Sequence, residues 1–169
     1  MITIEESGMS FGPYSPGSVF QIEQSPAVQA RLSPNGIKVC EFIWRSPKAN
    51  LFLVEAKSTI PNPKKSPEAY ELYFSQIVEK FSNSIHILAV GLTARNGSLQ
   101  HEINTAMSIH GFACVSDIRF YLVIPDAPDT AVQHLSDKLG SLLKRQRIIW
   151  KADARVINRR FAQKAGLIQ

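Results

Sequence analysis

Two glutamates and a lysine on neighbouring predicted strands are the residues of this chain best suited to chemistry. The runs Ile37–Arg45 and Leu51–Ser58 are rich in β-branched and aromatic residues, and the polar segment between them favours a hairpin. In the register that this hairpin sets, Glu41 lies opposite Glu55, and the period-two alternation of a strand places Lys57 on the same face. The sequence therefore predicts two carboxylates and an ammonium group that converge on a largely apolar sheet.

Facing carboxylates on an apolar surface destabilise the fold unless something neutralises their charge. A divalent cation such as Mg²⁺ or Mn²⁺ would neutralise it through hard oxygen ligands. A proton shared by Glu41 and Glu55, or a salt bridge to Lys57, would serve a purely structural role. A slip of one residue in the register would turn Glu41 to the other face. The residues by themselves leave these alternatives open.

An acid, a hairpin turn and an apolar strand ending in Glu55-Ala56-Lys57 together resemble the PD-(D/E)xK nuclease superfamily. The resemblance covers about residues 19–125 and implies an α/β fold whose single mixed sheet has an αβββαβ core with flanking helices. It implies that Glu41, Glu55 and the Ala56 carbonyl bind Mg²⁺ or Mn²⁺, and that Lys57 positions or helps deprotonate the attacking water. The implied function is a nuclease that hydrolyses phosphodiester bonds of nucleic acid, with DNA favoured.

Two further residues are candidates for supporting roles in that site. Many members of the superfamily add an acid from the first helix, for which Glu23 is the candidate, although it precedes its predicted helix. Some members place a Gln on the helix after the triplet, and Gln76 is the candidate, with an ordinary surface polar residue as the alternative. The first acid is Glu41 rather than Asp, and no Pro precedes it. Because some members have lost catalysis, the alternative function is a catalytically silent nucleic-acid-binding or protein-interaction module.

Basic residues are concentrated near the end of the chain. From Lys138 onward there are nine Lys or Arg residues and a single acid, Asp153, within a chain of formal net charge +5. Such asymmetry indicates a polyanionic partner, and Arg155 and Arg159 have the spacing of one helix face. A solvated helix face with a basic tail is the alternative. The predicted nucleic-acid contacts are Lys64, Lys65, Lys80, Arg155, Arg159 and Arg160.

The elements that must position these residues follow from periodicity and turn residues. A long apolar seam after Ser66–Pro67 predicts one helix that ends near Asn96–Gly97, with a strand at Ile85–Gly91 as the competing interpretation. The other predicted elements are strands at Ile2–Glu6, Val19–Glu23 and Ile118–Ile124, a loop at Ser10–Ser18, helices at Ser25–Leu32, Leu99–His110 and Thr130–Trp150, and a short helix or strand-helix at Val156–Gly166.

Length and composition bound the class of protein. The chain has 169 residues, of which 44% are hydrophobic and 20% charged, so it predicts one ordered domain over 1–169 with a basic C-terminal helical part at 130–169. Glu5 and Glu6 stand where a secretory signal would be basic, and no apolar run is long enough for a membrane span, so we expect a cytoplasmic protein. The spacing of Cys40 and Cys114 fits no metal or redox motif. A homodimer or a partner protein is a hypothesis for the source of specificity.

Overall fold

A mixed five-stranded sheet organises the core in the computed structural model, which describes residues 1–169. Its strands are, in spatial order, β3 (Val19–Phe20), β4 (Phe42–Arg45), β5 (Leu51–Ala56), β6 (Ile118–Val123) and β7 (Asp153–Ile157). β3, β4 and β5 are antiparallel neighbours, whereas β6 and β7 continue the sheet in parallel with β5. The predicted α/β class with a mixed sheet is confirmed.

Helices and a separate hairpin cover this sheet. The hairpin pairs β1 (Ile2–Glu6) with β2 (Met9–Tyr14). The helices are α1 (Pro26–Arg31), α2 (Pro67–Leu92), α3 (Gly97–Met107), α4 (Asp129–Leu142), α5 (Lys144–Trp150) and α6 (Arg159–Lys164), with short 3₁₀ turns at Ile22–Gln24, Ser33–Asn35 and Phe112–Cys114. One feature of the implied αβββαβ order differs, because α1 lies between β3 and β4 instead of preceding the first strand of the sheet.

The long helix α2 follows from its apolar seam and its N-terminal proline. The seam residues recur every three or four positions and are buried, which is the pattern of one helix face against a core. Pro67 is the first helical residue, where its missing N–H costs nothing. The strand alternative at Ile85–Gly91 is therefore wrong. α2 ends at Leu92, before the predicted end, because the Asn96 side chain accepts a hydrogen bond from the Leu99 N–H and starts α3.

Three other predictions of local structure are wrong. Ser10–Ser18 was expected as a loop from its Gly and Pro content, yet it contributes β2, in which Phe11 and Tyr14 are buried. The predicted helix Thr130–Trp150 is two helices, because the chain turns at Leu143 between α4 and α5. The C-terminal part is not wholly helical either, since β7 completes the sheet before α6 begins.

The two faces of the large sheet are buried against different elements. One face, which carries Leu51, Leu53 and Leu122, packs against α2, α3 and α4 in the larger core cluster. The opposite face packs against the β1–β2 hairpin and α6 in a smaller cluster. Strand alternation places Glu55 on the face that α2 covers. None of the helices combines the length and apolarity that crossing a membrane requires.

Candidate functional site

The β4–β5 hairpin has the register that the sequence predicts. Ile43 pairs with Leu53, so Glu41, two positions before Ile43, and Glu55, two positions after Leu53, belong to the same face. β4 itself begins at Phe42, but Glu41 remains attached to β5 because its N–H donates to the Val54 carbonyl at 3.0 Å. On its other side, Glu55 pairs with Leu122 of β6. The hairpin therefore places the carboxylates of Glu41 and Glu55 at one end of the sheet face that α2 covers.

The ammonium groups of Lys57 and Lys80 lie close to these two carboxylates. The Oε1 atom of Glu55, whose side chain is completely buried, lies 2.7 Å from Lys57 Nζ and 2.7 Å from Lys80 Nζ. Glu41 Oε1 lies 3.5 Å from Lys57 Nζ and 3.7 Å from Lys80 Nζ. These four residues are called the acid–lysine cluster below. Lys80, predicted as a nucleic-acid contact, is placed at the carboxylates instead of on an open surface.

Helix α2 is fixed to the strand segment that carries Glu41. Ser84, one turn after Lys80, donates its hydroxyl hydrogen to the Lys80 carbonyl at 2.7 Å. The same hydroxyl oxygen accepts a hydrogen bond from the Cys40 N–H at 2.9 Å. Because Cys40 directly precedes Glu41, this one serine holds the helical lysine and the first acid in a fixed relation. The Cys40 thiol itself is buried and unpaired with any cysteine.

The second oxygen of Glu55 has no partner. Glu55 Oε2 is buried without a hydrogen bond, and so is the hydroxyl of Tyr73, two turns before Lys80 on α2. Burial, followed by the charge of Glu55, raises the pKa of Tyr73 above its ordinary value. An unsatisfied buried acceptor costs about 1–3 kcal/mol. The cluster therefore has an acceptor available for a ligand, a proton or a cation.

Glu23 reaches the cluster through Glu41. Burial, then a hydrogen bond shared with the Glu23 carboxyl, then the charge of Glu55 raise the pKa of Glu41 to about 8. Burial lowers the pKa of Lys57, but the hydrogen bond and charge of Glu55, with the charge of Glu41, more than offset this and raise the pKa overall. Glu23 lies in the 3₁₀ turn Ile22–Gln24 and is exposed, so it links Glu41 to solvent.

The raised pKa of Glu41 predicts a loss of stability with rising pH. Its pKa goes from 4.5 in the unfolded chain to about 8 in the fold, so the folded state holds an extra proton between those values. Between about pH 5 and 8 we expect the free energy of unfolding to fall by on the order of 2 kcal/mol relative to Glu41→Gln, which keeps a neutral side chain. Urea unfolding of both proteins across this range measures the difference, and parallel pH profiles would contradict it.

The remaining predicted residues are distributed around one end of the sheet. Gln76 is exposed on α2, one turn before Lys80. Lys64 and Lys65 are exposed in the connector that follows the triplet, where their N–H groups donate to Asn62 Oδ1. Arg159 is exposed at the start of α6. These positions are compatible with contacts to a ligand that reaches the cluster.

Two of the predicted basic contacts in the C-terminal part of the chain are also engaged in ion pairs. Arg155 lies on β7, not on a helix, so the prediction that it shares a helix face with Arg159 is wrong. Its side chain points to the face opposite Glu55 and pairs with Asp153 at 2.6 Å. Arg160 pairs with Asp129 at 2.6 Å. The unpaired charge of the C-terminal part is therefore smaller than its count of basic residues indicates.

The cluster fits a divalent cation as a partial ligand set. No group of three or more His, Cys, Asp or Glu side chains is arranged as a complete metal site. Magnesium, however, is usually held by one or two carboxylates and completed by water and substrate phosphate. Glu41, together with the unpaired oxygen of Glu55, supplies carboxylate donors of that kind. Protein-family models, curated proteins and solved structures give no match to this chain.

Proposed function

We propose that this chain is a metal-dependent nuclease that hydrolyses phosphodiester bonds of nucleic acid, with DNA as the favoured substrate. The observation that carries the proposal is the convergence of Glu41, Glu55 and Lys57, where a buried carboxylate oxygen has no partner. The sheet order supports it, because an antiparallel hairpin followed by helices and a parallel strand agrees with the fold that the PD-(D/E)xK resemblance implies.

Glu41 and Glu55 would hold the cation, and Glu23 would help Glu41 to lose its proton. Glu41 and Glu55 are the side-chain ligands, and the backbone carbonyl of Ala56 is the third ligand implied by the resemblance. A bound Mg²⁺ or Mn²⁺ supplies Lewis-acid activation of water and of the scissile phosphate. Because Glu41 is protonated in much of the free protein at neutral pH, it must release a proton before it binds. Glu23, hydrogen-bonded to it and exposed, gives that proton a route to solvent.

Lys57 is suited to positioning and charge stabilisation. Its side chain is 35% exposed, so it can reach a substrate at the surface of the cluster. Its raised pKa keeps it charged, which favours donation to the attacking water or to a phosphate oxygen over abstraction of a proton. Lys80 is only 13% exposed and serves mainly to balance the buried charge of Glu55. The two lysines are therefore expected to have different functions.

Exposed cations near the cluster provide a sequence-independent grip on the backbone. Lys64 and Lys65 lie in the connector that leaves the triplet, and Arg159 follows β7 at the same end of the parallel strands. Such cations contribute affinity that falls with salt concentration as counterions return to the nucleic acid. Gln76, exposed beside Lys80, is the candidate for a polar contact to water or phosphate.

A calorimetric titration with Mg²⁺ and Mn²⁺, combined with a plasmid-nicking assay, tests the proposal. Wild type is expected to bind the cation and nick the plasmid. Glu55→Gln keeps the shape of the side chain but removes its charge, so it should lose cation binding and reduce nicking by about 10²–10³-fold or more. Lys48→Gln is the matched control, because it changes an exposed charge in the β4–β5 turn, at the opposite end of the hairpin from the cluster, and should retain both properties.

A different result would favour a catalytically silent binding module. The observation behind this second candidate is that Lys57 and Lys80 both lie 2.7 Å from Glu55 Oε1, so the charge of that buried carboxylate is already balanced within the chain. No cation uptake and no nicking, with salt-sensitive DNA binding retained, would support that module and contradict the nuclease. Nicking that persists undiminished in Glu55→Gln would place the activity outside this cluster.

A further inference from the structure

Helix α5 exposes large aliphatic side chains to solvent. Ile148 is 67% exposed and Ile149 is 66% exposed, and Leu142 at the end of α4 is 44% exposed. These three residues are called the α5 ridge. Isolated exposed apolar residues are common on protein surfaces, but neighbouring ones mark sites of interaction. Because Ile148 and Ile149 are consecutive on a short helix and Leu142 precedes it, the ridge is a candidate contact surface.

An apolar cavity adjoins the ridge. It has a volume of about 290 Å³ and opens beside Ile149; its lining residues are Phe112, Val115, Ser116, Ile118, Ile149, Trp150 and Lys151. Small-molecule pockets usually have volumes of about 300–1,000 Å³. A cavity at the lower limit of that range, next to protruding isoleucines, is better suited to side chains from a partner's chain. This cavity is called the α5 groove.

Unpaired cations lie at both ends of α5, beside the ridge and the groove. Lys144 and Arg145 precede Ile148 and Ile149 by one helical turn and are exposed. Lys151 is exposed at the end of the helix and lines the groove. None of the three takes part in any of the ion pairs of the structure. The surface thus combines aliphatic contacts with a positive charge that nothing on this chain neutralises.

The surface is also held in a defined conformation. Gln146 Nε2 donates to Ser82 Oγ of α2 at 2.6 Å, which fixes the side of α5 that faces the protein. The rings of Trp150 and Phe112 have centroids 4.9 Å apart and form one wall of the groove. A preformed surface loses less conformational entropy when it binds a partner. Because Gln146 holds one side of α5 against α2, Ile148 and Ile149 lie on the side of the helix that faces solvent.

We infer that the α5 ridge and α5 groove bind an acidic, amphipathic segment of a partner protein. Acidic residues would pair with Lys144, Arg145 and Lys151, while large apolar residues would cover the isoleucines and enter the groove. Recognition of this kind uses an apolar face with charges of the opposite sign at its rim. The inference goes beyond the proposed nuclease activity and does not depend on it.

Other occupants match the surface less well. A second copy bound through the same patch would bring Lys144 and Arg145 against their own equivalents, and like charges across an interface are unfavourable. Nucleic acid would leave the isoleucines against sugar and phosphate, since aliphatic side chains lack the planar face on which bases stack. A bilayer surface cannot fill a concave groove. Protein side chains of mixed apolar and acidic character satisfy every feature.

A peptide-display selection on the intact protein tests the inference. Peptides selected on wild type, after counter-selection on the Ile148→Ser/Ile149→Ser double variant, are expected to contain acidic residues around large apolar ones. Fluorescence anisotropy with these peptides should give at least tenfold weaker binding to the double variant and to Lys144→Gln/Arg145→Gln. Leu72→Ser, which alters an exposed leucine on α2, is the matched control and should bind like wild type.

Several outcomes would overturn the inference. One is a selection in which no peptide requires Ile148 and Ile149 for binding. Another is a selection whose peptides contain no acidic residues. Sedimentation that shows self-association lost in Ile148→Ser/Ile149→Ser would assign the surface to a second copy instead. Co-sedimentation with vesicles containing phosphatidylserine, or DNA binding weakened only in the isoleucine variant, would assign it to a membrane or to nucleic acid. Circular dichroism of each variant verifies that the fold is retained.

Discussion

The substitution Lys57→Met is expected to lower the rate of plasmid nicking by about 10²–10⁴-fold without weakening Mg²⁺ binding. Lys57 Nζ is 2.7 Å from Glu55 Oε1 and 3.5 Å from Glu41 Oε1, so it competes with a cation for the same carboxylates. Its removal should therefore leave the calorimetric affinity for Mg²⁺ unchanged or increased. Loss of turnover with retained metal binding would separate the positioning function proposed for Lys57 from the metal-ligand function proposed for Glu55.

Three variants make this prediction specific. Lys57→Arg keeps the positive charge but changes its geometry, and it should recover part of the nicking rate. Lys80→Met removes a cation at the same distance from Glu55 but with less access to solvent, so it should reduce nicking less than Lys57→Met. Lys48→Gln, in the exposed β4–β5 turn, is the surface control. Equal losses for Lys57→Met and Lys80→Met would contradict the separate functions proposed for the two lysines.

The sequence predicts the part of the site that depends on the alternation of side chains between the two faces of a strand. Alternation in two short strands is enough to put Glu41, Glu55 and Lys57 on one face, and the observed pairing of Ile43 with Leu53 has the predicted register. A hairpin joins residues that are close in sequence, so its geometry depends on few unknowns. The family resemblance alone makes Glu23 a candidate for an additional acid, and in the structure Glu23 lies beside Glu41 in a 3₁₀ turn instead of a helix.

The role of Lys80 could not be predicted in the same way. Gln76 and Lys80 are four positions apart in the predicted helix and therefore share one helical face, but this spacing does not determine which part of the protein that face contacts. Lys80 is 25 positions from Glu55, and their contact depends on how α2 crosses the sheet. That crossing is set by packing of the apolar seam against the core, which sequence periodicity does not determine. The only sequence signal for this contact is a lysine close to the apolar seam of a helix that follows a strand with a buried glutamate.

The C-terminal errors have a related cause. A strand such as β7 is short and holds Asp153 and Arg155, so its pattern does not stand out from the helices beside it. It is stable as a strand because β6 pairs with it on one side. On the other side, the Ser136 hydroxyl of α4 accepts a hydrogen bond from the Val156 N–H at 3.0 Å and donates one to the Val156 carbonyl at 3.1 Å. Tertiary contacts of this kind override local preference. The supposed helix face of Arg155 and Arg159 disappears for that reason.

The double substitution Lys57→Met/Lys80→Met is expected to lower the free energy of unfolding by about 3–5 kcal/mol at neutral pH. Glu55 is completely buried, and both of its charged partners bind the same oxygen at 2.7 Å. With both lysines removed, the ionised carboxylate would be buried without compensation, which is far more costly than the loss of a surface ion pair. Chemical denaturation monitored by circular dichroism measures the change, and each single variant should lose less than the double variant.

The stability of the lysine variant should return when the charge of Glu55 is also removed. In Lys57→Met/Lys80→Met/Glu55→Gln no buried charge is left uncompensated, so we expect most of the lost unfolding free energy to be regained. Mg²⁺ should also stabilise the double variant, because a cation that binds only the folded state raises its stability, and it should leave the triple variant unaffected. A double variant as stable as wild type would contradict the proposal that the two lysines offset the buried charge of Glu55. Destabilisation that Glu55→Gln fails to relieve would mean that the methionines disturb packing around α2.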